Sequence, residues 1–195
     1  MEKGIVKLLQ GGADVNRREA LELLKRHVQT KNLIKHSLAV EAVMGAMAEH
    51  FNEDVEIWSL AGLLHDLDYD YTKNNPELHG LKSVELLADF SLPQDVIDAI
   101  LAHCDKKSRE KLIEKVIYAV DPATGFIVAA ALIKPEKSLS SIDVRFLLRR
   151  FNEKLFAKGA SREQMRTCES FGLPLEDFLS ISLQAMQKIS ADLGL

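Results

Sequence analysis

Leu60-Ala61-Gly62-Leu63-Leu64-His65-Asp66 is the stretch that decides how this chain is read: an apolar run that ends in a histidine and an aspartate side by side. A polar group left unpaired at the end of a buried apolar segment is costly, so the doublet calls for a partner. A metal ion suits both residue types, because imidazole nitrogen and carboxylate oxygen bind borderline ions such as manganese, iron, cobalt or zinc. Adjacent residues point in different directions. His65 can therefore hold one ion while Asp66 reaches across to bridge a second.

Outward from the doublet, apolar residues recur at intervals of three and four rather than two, which predicts an all-α fold. Asn16 with Glu19 forms a capping-box start for a helix reaching about Gln29. Asn32 caps the next, in which His36, Val40, Val43 and Met47 share one face. Asp54 opens the helix that delivers His65, and residues 67–75 read as a polar loop over the site. Pro76, capped by Asn75, opens a helix with His79 in its first turns. Ser91 and Pro93 begin one that ends near His103, and Ser108 begins one that runs to Asp121, with Pro122 and Pro135 as punctuation. Three further helices follow, at roughly 140–158, 161–170 and 175–193, placed either over the metal site or on a dimer face. No Gly/Ser-rich linker interrupts the chain. The expectation is a single domain over 1–195, with a core at about 30–125 and a helical extension at about 136–195.

His36, His65, Asp66, His79, His103 and Asp121 thus lie at or near the edges of separate helices, as a buried dinuclear metal site requires. His27, between charged neighbours, and His50, at a helix end, read as solvent-facing or capping residues. Cys104, about 100° around its helix from His103, reads as a small buried cysteine.

Composition narrows the class. Hydrophobic residues make up 47% and charged residues 28% of 195, ordinary for a globular protein that buries a full core. A net charge of −4 without long single-sign runs argues against nucleic acid or an anionic membrane as the dominant partner. Two cysteines without CxxC spacing fit a reducing cytoplasm. The N-terminal stretch lacks the apolar core of a signal peptide, and no run of 18 or more apolar residues is expected to span a bilayer. GxSxG, P-loop, GxGxxG and HExxH motifs are missing. The expectation is a soluble cytoplasmic protein.

The order His36, His65-Asp66, His79, His103, Asp121 resembles the HD superfamily of metal-dependent phosphohydrolases. The local wording matches as well: KHSLAV at His36, LAGLLHD before Asp66, HGLKSVELL after His79, VIDAILAHC at His103 and VIYAVD at Asp121. The resemblance covers about residues 30–125 and implies an all-helical fold with metal-assisted hydrolysis of a phosphate ester. Members with one metal use only the first histidine, the doublet and the last aspartate. Those with two add histidines where His79 and His103 stand here, so two ions are expected.

The resemblance also implies the mechanism: a metal-bound hydroxide attacks a small phosphorylated metabolite or nucleotide. Asp66 bridges, His36, His65 and Asp121 hold one ion, and His79 and His103 hold the other. One departure matters. Many dinuclear members continue the doublet with a glycine and a lysine, whereas here Leu67-Asp68-Tyr69 follows. Asp68 becomes a candidate proton shuttle or ligand-orienting carboxylate. The phosphate-binding cation must come from elsewhere: Lys82, Lys134, Arg145, Arg149, Lys154 or Arg162, with Lys154 and Arg162 at positions the resemblance favours. A di-iron oxygenase on the same ligand set and a non-catalytic metal-bound sensor are the rival readings.

Overall fold

The computed structural model describes residues 15–195. The fold is all-α, with no extended strand among the described residues. Its helices in chain order are α1 (Arg17–His27), α2 (Lys31–Phe51), α3 (Val55–Leu64), α4 (Tyr69–Thr72), α5 (Leu81–Leu87) and α6 (Gln94–His103). There follow α7 (Leu112–Leu132), α8 (Val144–Phe151), α9 (Arg162–Arg166), α10 (Leu175–Lys188) and α11 (Ser190–Leu193). The residues before Val15, including the N-terminal stretch considered above, lie outside the described part.

Local chemistry starts several of these helices. The Asn16 side chain accepts from the Glu19 amide while Glu19 reaches back to the Asn16 amide, the reciprocal box that the sequence shows. Asp54 accepts from the amides of Glu56 and Ile57 and so opens α3. The start of α2 differs from expectation. It begins at Lys31 rather than after Asn32, because Asp70, forty residues downstream, accepts from the amides of Gln29 and Thr30 and from the Thr30 hydroxyl.

The expected loop at 67–75 contains the short helix α4, and Leu67, Asp68 and Thr72 are buried. His79 is not in a helix. It lies in extended backbone between a 3-10 turn, Pro76–Leu78, and α5, and the break is made by Gly80 at φ 78. A side chain there would be strained, and its Cβ would fall against the Cys104 sulfur.

The two 21-residue helices α2 and α7 form the centre of the bundle, packed against each other and against α3, α6 and α10. Val40, Val43, Met44, Met47, Leu63, Leu64, Ile117, Val120, Phe126 and Ile127 are fully enclosed along this seam. Each contributes about 1.5–3 kcal/mol by leaving water. The helix expected to stop at Asp121 continues through Pro122 to Leu132. Proline has no N–H to offer the carbonyl four residues back, but burial on both sides of it carries the helix through. By length and mean hydropathy α7 also meets the measure of a membrane span, against expectation, with 56% of that stretch buried inside the bundle. Its apolarity serves the core.

The approach of α3 to α2 depends on Gly62, where an added Cβ would lie 2.9 Å from backbone atoms of Val40 and Glu41. Gly62→Ala is expected to destabilise the protein by about 1–3 kcal/mol through overpacking. Urea denaturation of the two proteins checks this, and an unchanged midpoint would show that α3 can move away freely.

Candidate metal centre

Helix α3 ends with His65 as its C-terminal cap, and the following turns carry Asp66 and Asp68 inward. His36 comes from α2, His79 from the link before α5, His103 from the end of α6, and Asp121 from the middle of α7. All six expected ligands converge. Asp66 lies at the middle of the set with its two oxygens facing different neighbours. Its Oδ2 is 3.7 Å from His36 Nε2 and 3.5 Å from His65 Nε2. Its Oδ1 is 3.3 Å from His79 Nε2 and 3.5 Å from His103 Nε2. Asp121 joins the first group, its Oδ1 being 3.0 Å from His36 Nε2 and 3.8 Å from His65 Nε2.

Each imidazole turns Nε2 inward because its Nδ1 is committed elsewhere. His36 Nδ1–H donates to the Thr124 hydroxyl (3.1 Å), which itself donates to the Asp121 carbonyl. His65 Nδ1–H donates to the Gly62 carbonyl (2.8 Å) and His103 Nδ1–H to the Ile100 carbonyl (2.5 Å). His79 Nδ1–H donates to the Asp68 carboxylate (2.9 Å). Such outer partners select the tautomer that leaves Nε2 as a lone pair.

The Nε2 atoms of His36 and His65 are 3.2 Å apart, and those of His79 and His103 are 3.1 Å apart. If both rings of a pair are neutral in these tautomers, their Nε2 lone pairs face each other, so each pair is a place where a proton or a metal ion is shared. Two nitrogens bound to one ion at 2.0–2.1 Å and about 90–110° lie about 2.8–3.4 Å apart. The spacing of the donor atoms fits a divalent metal ion.

The electrostatics agree. Burial opposes charge on Asp66, but His65, His103 and His36 outweigh it and hold the carboxyl well below the usual range. Asp121 is likewise depressed, His36 and His65 prevailing over burial. Burial also opposes charge on His65, yet Asp66 and Asp121 push this imidazole up to about 9. His79 is raised too, its contact with Asp68 and the charge of Asp66 overcoming burial. The centre attracts positive charge.

Cys104 lies within ligand reach of His79 and His103. Its thiol contacts the His79 carbonyl at 3.4 Å, and burial pushes it up to about 11, so it stands there as a neutral thiol.

The other expected residues are dispersed. Asp68 is fully buried, and besides His79 it accepts from the amides of Gly80 and Ser83, which makes it the cap of α5. Lys82 pairs with Glu85 on α5. Lys154 is exposed beyond the end of α8. Arg162 donates to the carbonyls of Phe151, Phe156, Ala157 and Ala160 and lies over the Phe126 ring, so its guanidinium secures the segment between α8 and α9. Lys134 lies 4.3 Å over the Phe146 ring, and Arg145 and Arg149 are exposed on α8.

Sequence reasoning missed Thr124, one turn beyond Asp121, and the carbonyls of Gly62 and Ile100. The threonine spacing is a weak signal, and a carbonyl leaves none. Exposure differs within each pair, and His79 is 18% exposed. His65 and His103 side chains are 0% and 2% exposed, against 21% for His36 and 31% for Asp121. A cavity of about 370 Å³ opens between His36, Asp121, Pro122 and Gly125 and the segment of Ala157, Gly159 and Ala160. A larger cavity of about 590 Å³ is lined from α2 by Leu38, Ala42 and Gly45, on the face turned away from His36, and takes no part in the centre.

Because Asp68 orients His79, Asp68→Asn is expected to weaken binding of the ion at His79 and His103 by about 10–100-fold. The ion at His36 and His65 should be retained. Metal titration checks this, and equal loss of both ions would show that Asp68 acts on the whole centre.

The family model of the HD domain matches residues 33–145, more than half of the chain and some twenty residues beyond the span of the sequence resemblance. Ribonuclease Y of Deinococcus radiodurans is 30% identical over 121 residues, covering 62% of this chain and 20% of that protein. Ribonuclease Y of Thermus thermophilus is 30% identical over 125 residues, with the same coverage. That of Acholeplasma laidlawii is 31% identical over 91 residues, 47% of this chain and 17% of its own. The chain spans about a fifth of the length of these curated relatives. No solved structure matches it significantly. With the histidine–aspartate doublet at the end of α3 and its partners drawn from α2, α6 and α7, the chain belongs to the HD-domain family of metal-dependent phosphohydrolases.

Proposed function

We propose that the chain hydrolyses the phosphate ester of a small metabolite or nucleotide at a dinuclear centre of divalent transition ions. The observation that carries this reading is the division of Asp66, with Oδ2 toward His36 and His65 and Oδ1 toward His79 and His103. His36, His65 and Asp121 would hold one ion, His79 and His103 the other, and Asp66, lying between the pairs, would serve both. Ions bound there supply a water whose pKa is lowered from 15.7 toward about 7 and neutralise charge on the phosphoryl oxygens. Asp68 fixes the ring of His79, and Thr124 that of His36. Substrate enters on the side of Asp121, where the 157–160 segment meets α7. Arg162 serves by holding that segment, its donors being committed to carbonyls. Lys154, exposed on the same connection, is the candidate cation for the phosphate, while Lys82, in the first turn of α5, is paired with Glu85.

A second reading comes from the relatives' name and from charge. Residues 134–166 carry nine Lys and Arg against four Asp and Glu, so an RNA phosphodiester is the alternative substrate.

The test is a panel of phosphomonoesters, nucleotides and a short oligoribonucleotide offered to the manganese-loaded chain, with metal content measured alongside. Two ions per chain and oxygen-independent turnover of a small ester are expected. Turnover of the oligoribonucleotide alone would move the assignment to RNA. Oxygen consumption with a non-phosphorylated polyol would move it to an oxygenase, and full loading without turnover to a sensor.

A further inference from the structure

The opening at Asp121 does not end at the metal centre. His36 and Gly125 also line a second cavity of about 340 Å³, which runs between α2 and α7 toward α11. This is the size range of small-molecule sites, about 300–1,000 Å³. Its walls are mostly apolar, with Ala39 from α2, Val128 and Leu132 from α7, and Leu193 and Leu195, and the polar side chains of Asn32 and Thr124 stand beside Lys35 and His36. No carboxylate side chain lines it, and its one ammonium, Lys35, is tied to the Leu193 carbonyl at 2.6 Å. Apart from His36 it has no ring among the described residues, so it offers an aliphatic group contact but a nucleobase no stacking platform.

Gly125, like His36, lines both cavities. A Cβ at this position would find no atom within 4 Å, so no packing contact demands glycine there. A glycine in mid-helix is destabilising relative to alanine, and here the missing side chain leaves free the space that both cavities border.

We infer that the alcohol moiety of the substrate, the part released on hydrolysis, is uncharged and aliphatic, that it occupies this second cavity, and that Gly125 governs its admission. The inference rests on the phosphoesterase reading above and adds to it a substrate class and a specificity-determining residue. In the step itself, water oxygen bonds to phosphorus, the bond from phosphorus to the ester oxygen breaks, and the alcohol leaves with a proton into the second cavity.

Alkylphosphonates, which have no ester bond to cleave, test this by calorimetry on the metal-loaded chain. In the wild type, affinity should rise about threefold to fourfold per methylene from propyl to hexyl, the gain of burying each group. In Gly125→Leu that increment should collapse while metal content stays as in the wild type. Val128→Thr, a nearly isosteric change within the cavity, should lower the increment without filling the space beside Gly125. Methylphosphonate binding with no chain-length dependence in the wild type would overturn the cavity assignment and leave the phosphoesterase reading standing. Equal weakening of methyl- and hexylphosphonate in Gly125→Leu would overturn the role of Gly125. No methylphosphonate binding by a fully loaded chain would sink the phosphoesterase reading itself, and the inference with it.

Discussion

Asp66→Ala is expected to bring turnover of the metal-loaded protein down to background, a fall of at least about 10³-fold. Metal content should drop from two ions per chain to one or fewer. Both losses have one cause, since this carboxylate alone faces both histidine pairs, within 3.3–3.7 Å of all four Nε2 atoms. No other described side chain lies between the pairs to replace it. Asp66→Asn separates bridging from shape: it keeps the volume and one acceptor oxygen, so one ion should remain bound while turnover still falls. Circular dichroism of both variants should match the wild type. Retention of two ions and of turnover in Asp66→Ala would refute the bridging role, and with it the division of ligands proposed here.

Removal of metal gives the second large effect. A chelator should abolish ester hydrolysis, and manganese, cobalt or iron should restore it. The same treatment should lower thermal stability, because ions that bind only the folded chain stabilise it by mass action. At a free ion concentration 100 times the dissociation constant the stabilisation is about 2.7 kcal/mol. For a chain of this size that corresponds to a shift in Tm of about 5–11 °C. The origin of the stabilisation is visible in the centre: Nε2 atoms 3.1 and 3.2 Å apart, beside two carboxylates, form donor sets that a metal ion would share on folding. Unfolding followed by fluorescence of Trp58, with and without chelator, measures the shift. A Tm indifferent to chelator in a protein of proven metal content would show that the ions bind without sharing these groups.

The helices themselves are legible in the sequence because their signals are local. Asn16 and Glu19 close a box three residues apart, and Asp54 caps its own helix. The signals that fail act over long separations. Asp70 anchors the residues just before α2 from forty residues away, and Asp68 caps α5 while gripping His79, so neither boundary is written near the residues it concerns. Pro122 reads as a stop but is not one, because burial on both sides of it outweighs one lost hydrogen bond. Arg162 illustrates the same limit at the site. From sequence it is a mobile cation available to a phosphate, whereas in the fold four carbonyls hold its guanidinium.

The sequence by itself determined the helical class and the candidate ligands, because periodicity and a doublet closing an apolar run are properties of neighbouring residues. Only the tertiary structure decided how those ligands divide. Which Asp66 oxygen faces which histidine pair, which nitrogen of each ring turns inward, and where the centre opens all depend on groups brought together across α2, α3, α6 and α7. The carbonyls of Gly62 and Ile100 and the hydroxyl of Thr124 settle the tautomers, and a carbonyl has no residue type by which a sequence can announce it. The reason is distance: coordination is set by atoms a few ångströms apart in space that lie up to 88 residues apart along the chain.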